Sequence, residues 1–233
     1  MNREEFKRLV SDAVNDAELK SSDIPAVDLY VDQIIKLHSD RLMEGSERFH
    51  DRQLTKTMIN NYAKDRVITP VKGKKYTKEQ IIQILFVYTL KGTLSIGEIK
   101  RMLDGAYSID GFDADSLTEL YDKYSNTKKL CREYSGDIAE NMIKTCGLDI
   151  ENEEDYIAAI MNFVAMSAFM KNIAQAMIDE RFPEPELLPD TESEKKDKEK
   201  DKKEKKDKKE KEKKDKKDKK KSDKAAKADS DKE

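Results

Sequence analysis

The chain has 233 residues with 46 Lys or Arg against 49 Asp or Glu, and its formal charge of −3 conceals a segregated distribution. Residues 190–233 hold 21 Lys and 16 acids and residues 1–189 hold 25 bases and 33 acids, yet within that acidic body residues 52–103 carry 11 bases and three acids. The amino terminus lacks the apolar run of a signal peptide, and the longest uncharged apolar stretch, Tyr156–Met170, is 15 residues where a bilayer span needs about 20, so we expect a cytoplasmic protein with no membrane partner.

Other classes fall away on side-chain chemistry. Cys131 and Cys146 are too few for a disulfide framework and too far apart for a zinc site. His38 and His50 stand alone, without carboxylate or thiol at ligand spacing, so neither a metal nor another cofactor is expected. General acid–base chemistry wants a positioned His or paired carboxylates, and no G-x-S-x-G, P-loop or Rossmann glycine set is present. The expectation is a protein that is not an enzyme.

Taken along the chain, nearly every segment has helical period, and the expected fold class is all-α, a helical bundle. Phe6, Leu9, Val10, Ala13, Val14 and Ala17 share one face of a first helix, interrupted at Asp23-Ile24-Pro25. Val27, Val31, Ile34, His38 and Leu42 mark a second helix ending near Gly45, and Met58 and Tyr62 a short third over 55–64. Val67–Tyr76 is a β-favouring run with Gly73 at its turn, read as a tight hairpin. Thr77 with Gln80, and Ser95 with Glu98, have the spacing of capping boxes that open a fourth and a fifth helix. Ser116 and Glu119 predict a third such box, opening a helix with Leu117, Leu120, Tyr121 and Tyr124. A further helix is expected from Lys128 to Cys146, closed by Gly147, and a last one from Asn152 to Arg181. That last helix is apolar around most of its circumference, so other helices or a partner subunit should enclose it. From Pro183 onward Lys, Asp and Glu fill nearly every position, which predicts a disordered, solvated tail over 183–233.

The only basic stretch of the body coincides with the expected helix–hairpin–helix–helix segment. Thr55, Lys56, Thr57, Asn60, Asn61 and Lys64 are the side-chain types that read base edges and grip phosphates, Asn pairing with adenine and Lys neutralising the backbone. Arg66, Lys72, Lys74 and Lys75 extend the set to the hairpin, within reach of flanking phosphates.

Met58-Ile59-Asn60-Asn61-Tyr62-Ala63-Lys64-Asp65-Arg66-Val67-Ile68-Thr69-Pro70 resembles the recognition helix and following turn of MerR-type regulators, T-L-R-Y-Y-E-x-x-G-L-L-x-P. Lys74-Lys75-Tyr76 resembles the R-x-Y closing that family's wing, and Gly92–Leu103 is similar to its G-F-S-L-x-E-I-x-x-L-L. The resemblance implies a winged helix-turn-helix domain over 27–104 that binds double-stranded DNA and regulates transcription. An N-terminal helix (1–26) would precede it, and a helical dimerisation or sensing region (105–182) would follow. A homodimer through the C-terminal helices and an unknown effector are implied with it. In this chain Asn60 stands where that family usually has a phosphate-binding Arg, Asn61 replaces a Tyr, Arg66 replaces the Gly, and the wing is shorter. These departures keep open a second expectation, an interaction module that retains the winged-helix shape without binding nucleic acid. The chain also resembles a family of uncharacterised Gram-positive bacterial proteins, a domain of unknown function, through Asp23-Ile24-Pro25 and Leu54–Tyr62.

Overall fold

The computed structural model describes residues 1–184, and within them seven α-helices and one two-stranded sheet. The mostly helical class is as the periodicity predicts. α1 (Arg3–Ala13) opens on Asn2, whose side chain and that of Glu5 form a reciprocal capping box. It ends four residues before Ala17 because Arg132, on a distant helix, donates to the carbonyls of Val14 and Asp16 and satisfies acceptors a longer helix would have used. Leu19 and Ile24 then plug the core from the loop.

β1 (Leu29–Tyr30) leads directly into α2 (Val31–Leu42), so Val27 stays outside the helix and exposed. α3 (Lys56–Lys64) packs on α2 and on α4 (Lys78–Leu90). β2 is Lys75–Tyr76. The expected hairpin over 67–76 does not form. Its first half has no strand, and β2 pairs instead antiparallel with β1, Leu29 opposite Tyr76 and Tyr30 opposite Lys75. Gly73 does supply a turn, at φ +82°, but Val67 and Ile68 are drawn into the core instead of into a ladder.

α4 is the central element. Its residues 80–87 are all buried, and both of its glutamines are satisfied. Gln80 donates to the carbonyls of Thr69 (3.3 Å) and Pro70 (3.0 Å), and Gln83 accepts from the Thr69 amide at 2.8 Å. The two boxes at Thr77–Gln80 and Ser95–Glu98 form as expected and start α4 and α5 (Ile96–Tyr107).

The third box does not form. α6 runs unbroken from Ala114 to Thr145, capped by Asp113 through the Ser116 amide, and so replaces the two helices expected there. Asp113 caps the helix three residues earlier and also accepts from the Ser116 hydroxyl, so Ser116 lies inside the first turn and is not free to act as the cap. Between Tyr124 and Lys128 nothing breaks a helix. Leu117 and Tyr121 root α6 in the core, where Tyr121 donates to the Leu19 carbonyl at 2.6 Å.

α7 (Glu153–Arg181) has the bounds expected, but of the two covers expected for it the other helices supply little. Among the described residues nothing encloses it; only Ala159 and Ile178 are buried. Near its start Phe163 stacks on Phe6 of α1 (6.4 Å between centroids). Near its end Arg101 of α5 donates to Asp179 (2.7 Å) and to the Phe182 carbonyl (3.1 Å), and Gln175 donates to Glu98 (2.6 Å). Phe182 lies over Gly105, where any β-carbon would collide with its ring. Because the helix is held by different sides at its two ends, a 100° step per residue leaves two stripes outward. Ile157, Ile160, Met161 and Val164 form one, and Phe169, Met170, Ile173 and Met177 form the other on the opposite side; all eight are at least half exposed. Residues 1–184 form one compact unit. The expected tail falls almost wholly outside the described residues.

Candidate nucleic-acid interface

α3 is a nine-residue helix whose construction fixes which side chains face out. Thr55 caps it, its hydroxyl accepting from the Met58 amide at 3.2 Å, so this candidate contact is already engaged in holding the helix start. Ile59 and Tyr62 are buried against the core with Met58 and Ala63 partly covered beside them. By helical period the opposite face carries Thr57, Asn60, Asn61 and Lys64, with Lys56 at its edge, and all five are exposed. Among the described residues none of their side chains makes a hydrogen bond or an ion pair. The asparagine pair is not covered by any other helix.

The carboxyl end of α3 closes with a Schellman arrangement. The Val67 amide donates to the Tyr62 carbonyl at 3.0 Å and the Arg66 amide to the Ala63 carbonyl at 3.2 Å. This requires a left-handed residue at the position between, and Arg66 adopts φ +54°, the one positive-φ residue other than glycine among the described residues. A side chain there costs about 1–2 kcal/mol relative to glycine. Strain of this size persists where the surroundings or a function hold it.

Beyond Arg66 the chain is pinned from below. Val67 and Ile68 are buried and Thr69 and Pro70 are gripped by Gln80 and Gln83. Gln83 in turn donates to the Tyr107 hydroxyl, which donates to Glu79 at 2.6 Å; burial first and this carboxylate second push the Tyr107 phenol up. The segment therefore emerges from a fixed base, and Lys72 and Lys74 project from its exposed loop while Lys75 sits on β2. Lys75 lies 5.1 Å from the Tyr30 ring centroid, a cation–π contact across the two-stranded pairing. All ten sequence-predicted site residues are exposed; α3 gathers four on one face, and the other six flank it along the chain.

Residues 19–124 match the family model described as Domain of unknown function (DUF1836). No curated protein and no solved structure matches the chain. The DUF1836 match begins at Leu19, the first core residue after α1, and ends at Tyr124, where α6 leaves the core. It contains the whole basic stretch and every candidate contact residue, whereas α1, the distal half of α6 and α7 lie outside it.

Sequence reasoning missed the groups behind α3. Lys91 reaches back from the end of α4 to place its amine 5.9 Å from the Tyr62 ring centroid and 5.2 Å from that of Tyr88. His38 packs edge-on against Tyr88 at 4.4 Å. Burial, and then the Lys91 charge, lowers His38 to about 4, and burial lowers Lys91. Burial raises the Tyr62 phenol to about 12. The apolar face on which His38 falls is legible in the sequence, but its neighbours, 20 to 53 positions away, are not.

Proposed function

We propose that the protein is a DNA-binding transcriptional regulator of MerR-like helix-turn-helix type, with a basic loop in place of the hairpin wing. α3 enters the major groove, and the basic loop before β2 rests on flanking phosphates. The observation that carries the reading is the outward face of α3. Thr57, Asn60, Asn61 and Lys64 stand exposed and, among the described residues, without intramolecular partners, in the longest basic stretch of an acidic body. Unengaged asparagines and lysines on one helical face can pair with adenine edges and phosphate without first breaking a contact. Thr55 and Arg66 contribute at the ends of the helix, and Lys72, Lys74 and Lys75 from the loop.

A mobility-shift titration against genomic fragments tests it. Binding is expected at about 50 mM salt with a steep loss toward 200 mM, each neutralised phosphate contributing nearly one unit to the log–log slope. Lys56→Glu with Lys64→Glu should weaken binding strongly and lower that slope. No binding at the lower salt, or binding indifferent to the double reversal, leaves the second reading, an interaction module in which the same face meets protein. Asn60, which stands in place of a phosphate-gripping arginine, favours that second reading.

We further propose that α7 pairs with α7 of a second copy. Each of its two outward stripes carries four apolar side chains at very roughly 100 Å² apiece, so pairing through one stripe covers about half of the 800 Å² per partner of a standard interface, a patch as large as the largest on a typical monomer. By length and composition α7 also qualifies to cross a bilayer, with an 18-residue window of mean hydropathy 1.5. However, Lys171 interrupts it and both ends are fastened to the helical body. Sedimentation should give a dimer at tens of micromolar; a monomer that co-sediments with phosphatidylcholine vesicles would make α7 a membrane element instead.

A further inference from the structure

Behind α3 lies a cleft of about 480 Å³, bordered by His38 and Leu42 of α2, Met58 of α3, Tyr88 of α4 and Lys91. The volume is in the range of small-molecule sites. Its charges are unevenly satisfied. Lys128, which also lines it, is matched by two carboxylates, Asp16 at 2.7 Å and Glu18 at 2.8 Å. Asp51 and Arg52 add one charge of each sign. Lys91 is different. Its half-buried ammonium has two tyrosine faces and the Met58 sulfur (3.1 Å) for company, and among the described residues it forms no ion pair.

The neighbouring polar atoms are unmatched as well. His38 is 6 % exposed and, among the described residues, its Nδ1 has no hydrogen-bond partner; the hydroxyl of the buried Tyr62, which lies behind Lys91 and outside the lining of the cleft, has none either. A buried polar atom left unpaired costs about 1–3 kcal/mol, so a cation without an anion beside two unpaired groups marks a place built for something that brings acceptors. Leu42, Phe49 and Leu85 supply apolar wall.

We propose that this cleft binds a small organic anion, a carboxylate or phosphate monoester on an apolar and preferably aromatic body, with Lys91 as its ion partner and His38 as its hydrogen-bond partner. Tyr88 in the wall of the cleft and Tyr62 behind it hold the Lys91 ammonium through their ring faces. Met58 is both a wall of the cleft and a residue of α3, so occupancy acts directly on the seating of that helix. Binding itself does not rest on the DNA reading; only its regulatory consequence does.

Nuclear magnetic resonance of the full-length protein carrying 13C-methyl methionine tests the site without DNA, so that its failure and the failure of the DNA reading are separable. Benzoate and phenyl phosphate are the anionic probes and benzamide the neutral one of equal shape. The Met58 methyl should shift saturably with at least one anion, with apparent affinity at least tenfold weaker for benzamide, while Met161 and Met177 on α7 stay still. Whichever anion binds more tightly identifies the headgroup class. In Lys91→Met the anion response of Met58 should be lost, and the anion–amide contrast on the wild-type protein decides the matter if that variant does not fold. The proposal is overturned if Met58 is unmoved by both anions through about 10 mM, ten times a millimolar Kd. Equal responses to benzamide, an unchanged response in Lys91→Met, or α7 methyls shifting in parallel would overturn it equally.

Discussion

α4 and α7 are the two helices that are apolar on every side, and the fold treats them in opposite ways. In α4 eight consecutive residues, Gln80–Val87, are buried, because α3, α5, α6 and the short sheet surround it. In α7 two residues of 29 are buried, because α1 holds one side of its first half and α5 another side of its second. An all-round apolar sequence therefore states a demand for cover but not who supplies it. For α4 the supplier is the chain itself; for α7 none is found among the described residues, which is why a second copy is proposed there.

The contrast is most easily broken by matched truncations. Ile84→Ala in α4 should cost about 2–5 kcal/mol, the usual range for a fully buried isoleucine. Ile160→Ala in α7, at a half-exposed site, should cost under about 1 kcal/mol in urea unfolding at low protein concentration. Equal costs would mean that α7 is already covered within the monomer.

A second expectation concerns His38, which packs on Tyr88 of α4. Its folded value near 4 lies below the ordinary 6.5, so the unfolded chain binds the extra proton between those values. Stability should be full above pH 6.5, fall by up to about 3 kcal/mol as the pH drops toward 4, and level off below. Denaturant melts across pH 4–7 should show this slope, and His38→Phe should remove it; an unchanged slope in that variant would place the titrating group elsewhere.

On α7, Met161→Asp should remove roughly 2 kcal/mol of apolar contact per protomer from the proposed pairing while leaving the helical circular dichroism unchanged. Sedimentation that still reports a dimer would move the interface off this stripe. The smallest effect is expected at the end of α3. Arg66→Gly should raise stability by about 1 kcal/mol through relief of the left-handed strain and, under the regulator reading, weaken DNA binding by the loss of one cation. Unaltered DNA affinity would leave the arginine as tolerated strain without a role at the interface.

The elements of the DUF1836 region were largely legible because their ends are written locally. Thr77–Gln80 and Ser95–Glu98 place donor and acceptor three residues apart, and the spacing alone specifies both hydrogen bonds. Ser116–Glu119 has the same spacing but failed, since Asp113, three residues upstream, accepts from both the amide and the hydroxyl of Ser116 and starts the helix there. The hairpin failed for a different reason. Gly73 turns the chain as read, but the partner of Lys75–Tyr76 is Leu29–Tyr30, more than 40 residues away. At the candidate interface the ten candidate residues could be picked out by type and charge, and the exposure of those on α3 follows from the burial of Ile59 and Tyr62 at helical spacing. The cleft behind them could not, because Lys91, His38 and Tyr62 belong to three different helices or their ends and meet only through packing.

By itself the sequence determined the helical class, the starts of α4 and α5, and the outward face of α3, because each follows from interactions spanning about one helical turn. Tertiary structure alone decided that β2 pairs with β1, that α6 continues through 114–145, and that, among the described residues, Lys91 has no carboxylate and α7 no cover. Those outcomes depend on which distant surfaces reach one another first with good fit, and no local spacing encodes that competition.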